Sequence, residues 1–119
     1  MNAEKLSLAQ ELLNRGETHM VVDARQPGVN VPPAFSEQPA LLLKFSYKYA
    51  SVSLTLNSWG IRANLSFNGE ILPVAVPWEA VFAIGRFSPK GGPTEGREWP
   101  QPPPPEERRA RVGGLRVVQ

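Results

Sequence analysis

The chain has 119 residues, contains no cysteine and carries a formal net charge of +2. This length predicts one domain with room for a tail, and without cysteine the chain has neither a disulfide framework nor a thiolate metal site. The N-terminal residues lack the continuous apolar run of a signal peptide, and no stretch approaches the ~20 apolar residues of a membrane helix. We therefore expect a cytoplasmic protein that does not bind a membrane.

The basic residues are concentrated near the C-terminus. The sequence pI is 9.3, a value that many nucleic-acid-binding proteins share. Between His19 and Phe87, however, five basic residues stand against four acidic ones. Nucleic-acid-binding folds concentrate their cations on the folded domain, so the sequence disfavours nucleic acid as a partner. An RNA-binding barrel of the Sm or SH3 type is the alternative, and a steep salt dependence of RNA binding would distinguish it.

An amphipathic helix is predicted over residues 3–15, ending before Gly16. Its apolar side carries Leu6, Leu8, Ala9, Leu12 and Leu13. The helix either covers an open end of the domain or forms a dimer contact, and the candidate dimer residues are its four leucines.

Short β-strands follow the helix at the spacing of a small barrel. They are predicted over His19–Ala24, Ala40–Tyr47 and residues 51–57, and two prolines keep Val29–Phe35 extended. The Leu-Leu-Leu run of the second strand indicates burial on both of its faces.

The stretch that organises the chain is a hairpin. Apolar and polar residues alternate from Ile61 to Asn68, which predicts a strand with one buried face. Asn68-Gly69 favours a two-residue turn, and Ile71–Val76 is the return strand. Pro73 removes one ladder donor from that strand, so we expect the strand to lie at an edge or to carry a bulge.

The hairpin leads into one helical turn at 77–80 and a closing strand, Val81–Phe87. The predicted fold is mainly β: a small SH3/Sm-like open barrel with one N-terminal helix and a disordered C-terminal tail. Residues 1–87 form the domain, 88–114 a flexible linker rich in proline and glycine, and 115–119 a short terminal peptide.

The residues for catalysis are missing from the sequence. The single histidine, His19, and the single aspartate, Asp23, lie about 13 Å apart along the predicted strand, beyond hydrogen-bond reach. The chain has no glycine-rich phosphate loop and no set of metal ligands at suitable spacing. We therefore expect neither an enzyme nor a cofactor.

The remaining polar residues suit peptide binding. Arg62, Asn64, Ser66 and Asn68 lie on the outward face of a strand whose neighbour carries proline. An extended peptide could make main-chain hydrogen bonds there, although an ordinary solvated sheet face has the same pattern. Pro102–Pro105 reads as a stiff spacer or as a ligand for an SH3-type partner. The terminal Leu-Arg-Val-Val-Gln resembles a docking peptide or is inert.

Several stretches resemble the stringent starvation protein B (SspB) family, the adaptors of the bacterial ClpXP protease. The signatures are VVDxxxPGVxVP at Val21–Pro32, the hairpin turn at Phe67–Gly69, the VPxxAVxAI segment at Val76–Ile84, and the terminal LRVV. The tail is shorter and more basic than the long acidic linkers of familiar members.

The resemblance implies a homodimeric adaptor without enzymatic activity, whose barrel holds an unstructured degradation tag, the ssrA peptide, or a similar peptide. On the matching positions, the tag-binding residues would be Val29, Val31, Phe35, Ala63, Asn64, Leu65, Ser66 and Phe67. The C-terminal motif would dock on the N-terminal zinc-binding domain of the ClpX unfoldase. Its contact residues would be Leu115, Arg116, Val117 and Val118.

Overall fold

The computed structural model of this protein describes residues 2–48, 53–87 and 93–105. One helix, α1 (Asn2–Arg15), precedes the strands of the described chain. The strands are β1 (Thr18–Val22), β2 (Leu41–Phe45), β3 (Thr55–Leu56), β4 (Gly60–Phe67), β5 (Glu70–Pro77), β6 (Val81–Phe87) and β7 (Pro93–Glu98). Short 3₁₀ turns lie at Pro33–Phe35 and Trp78–Ala80. The helix, the hairpin and the turn before β6 thus lie where the sequence predicted them.

The strands form two antiparallel sheets. Their orders are β2-β1-β6-β7 and β3-β4-β5. The two sheets share no strand among the described residues, so the barrel is open. The predicted fold class, a mainly β open barrel with an N-terminal helix, is confirmed.

The β4–β5 hairpin follows its turn residues. Asn68 and Gly69 both adopt positive φ, 52° and 86°, as a two-residue primed turn requires. The turn sets the register in which Phe67 lies opposite Glu70. Pro73 lies in β5, the edge strand of its sheet, where its missing N–H breaks no bond to a neighbouring strand.

Two strands differ from the sequence prediction. The prediction that β2 is buried on both faces is wrong: its residues alternate between buried and exposed, and Leu42 is 43% exposed. Only one face of β2 packs on the core, so the three leucines do not share one environment. The third strand is short, covering Thr55–Leu56, while residues 49–52 lie outside the described chain. The segment Val29–Phe35 is extended only in part, because its last three residues form a 3₁₀ turn.

Regular structure continues beyond the predicted domain boundary. The prediction of a disordered segment from residue 88 onward is wrong for Pro93–Glu98, which pairs antiparallel with β6 as β7. Trp99, directly after β7, is buried in the core at 9% exposure. Composition misled the prediction because backbone pairing needs no apolar periodicity in the strand that is added.

Helix α1 covers the larger sheet. Ala9, Leu12 and Leu13 are buried in the core, and Leu12 and Leu13 are only 1% and 3% exposed. Within one chain these two leucines contact the core of their own domain, so the dimer contact predicted for the four leucines of the helix stays a prediction. Leu6 and Leu8 are partly buried against the same core. The covering role of the helix is thus the one that the structure shows.

A buried carboxylate organises the turn after β1. Asp23 is fully buried and accepts hydrogen bonds from the Arg25 side chain and from Gln26 Nε2, at 3.0–3.2 Å. Burial alone would raise the pKa of Asp23, but the hydrogen bonds from Arg25 and Gln26 outweigh it and the pKa lies below its ordinary value. Asp23 therefore has a structural role in holding the turn together.

Candidate functional site

A cleft of about 570 Å³ opens between the C-terminal half of β4 and the edge strand β2. It is lined by Glu17, Phe35, Leu41, Leu42, Leu43, Lys44, Asn64, Leu65, Ser66, Phe67 and Asn68. The two strands belong to different sheets, so the cleft marks the place where the barrel is open. It is therefore the candidate binding site.

The cleft side of β4 presents a strand edge. On its far side β4 pairs with β5 over its whole length, whereas β3 pairs only with Ile61 and Arg62. From Ala63 to Phe67 the cleft edge of β4 has no strand beside it among the described residues. Among the described residues, the main-chain groups on this edge therefore have no strand partner, which is the condition for strand addition.

The hydrogen-bond pattern identifies which residues of β4 face this edge. In β5, the main-chain N–H and C=O of Ala75 point away from β4, because both bond to the main chain of Asn30, at 3.0 and 2.8 Å. The main-chain N–H and C=O of Arg62, which lies opposite Ala75, therefore point away from β5. Antiparallel ladders alternate with a period of two, so the main-chain groups of Asn64 and Ser66 also face the open edge.

The walls of the cleft are apolar. Leu41, Leu43 and Leu65 are buried beneath it, while Leu42 is half-exposed. The rings of Phe35 and Phe67 pack 5.3 Å apart, which fixes the 3₁₀ turn against the end of β4. An open main-chain edge beside apolar walls can bind alternate side chains of an extended peptide.

Charge at the cleft is sparse. Glu17 and Lys44 are its charged lining residues. His19 lies opposite Lys44 in the β1–β2 register, and its pKa is lowered, first by burial and further by Lys44 and Arg86, although Glu17 acts in the other direction. The imidazole is therefore neutral at neutral pH and adds no cation near the cleft.

The structure brings together only part of the predicted tag-binding set. Phe35 and the residues 64–67 line the cleft, whereas Val29, Val31 and Ala63 do not. Val29 and Val31 instead flank Asn30, which bonds to the outer edge of β5. The predicted docking residues, Leu115 to Val118, lie outside the described chain.

Sequence reasoning missed the β2 wall of the cleft. Leu41–Lys44 looked like a strand buried on both sides, yet it is an edge strand with one open face. Lys44 was the available signal, because a lysine within an apolar run favours an exposed edge position.

Residues 2–48, 53–87 and 93–105 carry neither a membrane-spanning helix nor a metal-binding cluster. No helix there is long and apolar enough to cross a membrane. No three histidine, cysteine, aspartate or glutamate side chains gather there in a way that would hold a metal ion.

Comparison with known proteins gives a family assignment. A comparison with curated proteins found no match. The model of the family described as stringent starvation protein B matches residues 5–92, about three quarters of the chain, and this range includes most of α1, both walls of the cleft and the whole β4–β5 hairpin. The chain therefore belongs to the stringent starvation protein B family.

Proposed function

We propose that this chain is an adaptor that binds unstructured degradation tags of the ssrA type in its cleft and tethers them to ClpXP. Family membership supports a ClpXP-related adaptor role in general terms. The tag, the ClpX contact and the homodimer belong to the proposal.

The open edge of β4 is the observation that carries the tag-binding proposal. Five residues, Ala63–Phe67, lie along it without a neighbouring strand in the described chain. At about 3.4 Å per residue this edge is about 17 Å long, enough for a peptide of four or five extended residues. Most strands of a folded substrate are already paired or protected at their edges, so the site would favour disordered chain ends.

The lining predicts the chemistry of the peptide. Main-chain bonds to Asn64 and Ser66 would supply affinity without regard to sequence. The apolar wall of Leu42, Phe35 and Phe67 would favour aliphatic or aromatic side chains at alternate positions. Lys44 is the one cation among the described lining residues, which offers little to a phosphate backbone, so the RNA-binding alternative gains no support here.

Delivery would occur by tethering. The cleft holds the tag, residues 115–118 dock on the N-terminal domain of ClpX, and the intervening chain joins them. Linking two weak contacts raises the effective concentration of the second one to the order of millimolar, without chemistry by the adaptor.

The proposal is tested by deleting residues 115–119. We expect the Kd for a labelled ssrA peptide to stay within twofold of the wild-type value, while the adaptor no longer lowers the KM of ClpXP for a tagged substrate. A variant in which Leu115 and Val117 are exchanged keeps the composition of the terminal peptide. If docking reads the order of its side chains, this variant should also fail to lower the KM. Delivery that survives the deletion would refute the docking assignment, and lack of ssrA affinity in the full chain would refute the cleft assignment.

A further inference from the structure

The chain remains bound to the barrel beyond the end of the family match. The match ends at residue 92, but Pro93–Glu98 extends the larger sheet as β7. Main-chain pairing joins β7 to β6 from Ala83 to Phe87, and the Trp99 N–H donates to the Phe82 carbonyl at 2.9 Å. We name the described residues 93–105 the strap.

Side chains fasten the strap to the helix. Glu95 pairs with Arg15 and Arg97 pairs with Glu4, both at 2.9 Å. Both ion pairs are largely accessible to solvent and screened by salt, so each contributes little to holding the strap. The stronger contact is Trp99, which is buried and donates from its indole N–H to Glu4 at 3.2 Å.

The strap stays attached after Trp99. Gln101 Nε2 donates to the Pro39 carbonyl, and Gln26 Nε2 donates to the Pro103 carbonyl, both at 2.8 Å. Gln26 also donates to the buried carboxylate of Asp23, so its amide is held in position. The anchoring therefore reaches into the proline run at 102–105.

We propose that the strap fixes the start of the tether at residue 105, so that nine residues, 106–114, separate the barrel from the docking peptide instead of 27. This inference rests on the proposed tethering function. Nine residues can span at most about 30 Å, whereas 27 can span about 90 Å. The strap thus keeps a bound tag close to the unfoldase.

Release of the strap has a calculable effect. Effective concentration falls roughly as the −3/2 power of tether length once the tether can span its sites. Lengthening from nine to 27 residues is a threefold change, which lowers the effective concentration about fivefold. We therefore expect strap release to raise the KM for a tagged substrate about fivefold.

Gly96→Ala is the releasing variant. Gly96 has φ of 141°, a region that disfavours other residues, and a Cβ there would overlap the Ile84 carbonyl and Gly85. The matched control is Glu98→Ala, because Glu98 is an exposed residue of the same strand. Hydrogen exchange over residues 93–101, which includes the amides of Trp99 and Gln101 beyond β7, should be at least tenfold faster in Gly96→Ala than in wild type and unchanged in the control. Wild-type amides that already exchange freely would overturn the inference.

A disulfide supplies the opposite perturbation. Ala83 lies directly opposite Glu98 in the β6–β7 register, and the natural chain has no cysteine to compete. Opposite residues of antiparallel strands have the Cα separation that a disulfide needs, so the double variant Ala83→Cys/Glu98→Cys should lock the strap when oxidised. We expect the oxidised and reduced forms to deliver a tagged substrate with equal KM.

The two variants together decide the inference. An inactive oxidised form would overturn it, because the working tether would then have to be the long one. A released Gly96→Ala strap with unchanged or lower KM would overturn it as well. These results leave the proposed function intact as long as deletion of residues 115–119 abolishes delivery; if that deletion has no effect, the proposed function fails first.

Discussion

Replacing Ser66 with proline tests whether a peptide adds to the open edge of β4. The Ser66 main chain faces the cleft and not β5, so the substitution removes a donor on the open side while the β4–β5 ladder keeps its bonds. The preceding residue, Leu65, already lies in a strand, the backbone region that proline demands of its predecessor. The matched control is Ser66→Ala, which removes the hydroxyl and keeps the N–H.

The magnitude follows from one lost main-chain bond. A typical intramolecular hydrogen bond contributes about 1 kcal/mol, and leaving a buried carbonyl of the peptide without a donor costs about 1–3 kcal/mol. The Kd for an ssrA peptide should therefore rise about 5- to 150-fold in Ser66→Pro and less than twofold in Ser66→Ala. Fluorescence anisotropy with a labelled peptide measures both, and thermal unfolding shows whether each variant is folded.

A second experiment uses the natural chain and a modified peptide. Methylating one peptide nitrogen at a time removes single donors, and strand addition to β4 predicts that every second position is sensitive. Equal affinity of Ser66→Pro and Ser66→Ala, together with an N-methyl scan without a period of two, would refute the reasoning.

Three other predictions concern affinity and stability. Leu42→Ser should weaken peptide binding about fivefold, since the bound peptide covers the exposed 43% of Leu42, whereas Ile71→Ser, similarly exposed outside the cleft, should not; titration calorimetry measures both. Leu12→Ala should lower the free energy of unfolding by about 2–5 kcal/mol, independent of protein concentration in urea titrations because the contact lies within one chain. Because the pKa of Asp23 is lower in the folded than in the unfolded chain, its ionisation stabilises the fold above about pH 4, and this stabilisation is lost as the pH falls through the folded pKa. Asp23→Asn should therefore reduce the fall of Tm on the acidic side of the Tm–pH profile.

The sequence predicted correctly the elements that are determined by residues adjacent in the chain. Asn68-Gly69 sets its own backbone conformation, and Pro73 excludes a central strand position whatever surrounds it. The strap was missed because its cause is not local: Glu95 and Arg97 bind residues of α1 that are about 80–90 positions away. The β2 wall was missed because an apolar run does not show which of its faces is covered.

The site was only partly predictable for a related reason. The sequence shows that Asn64 and Ser66 belong to a strand, but their availability depends on where the neighbouring strand ends. Within the described ranges β3 pairs with two residues of β4, and the following five have no neighbouring strand on that side. The candidate site thus depends on where a neighbouring strand ends among the described residues, and no motif in β4 contains that information.

The other described sheet edges are protected, which supports the location proposed for the site. Exposed strand edges invite aggregation, and proteins protect them with proline, charge or short strands. The edge of β5 carries Pro73 and a bond to Asn30, β3 is two residues long, and β7 carries charged residues and covers the edge of β6. Among the described edges, the opening between β2 and β4 alone combines a strand edge of five residues with apolar walls. Among the described residues this edge has no such protection, and that is the arrangement which the proposed addition of a peptide strand requires.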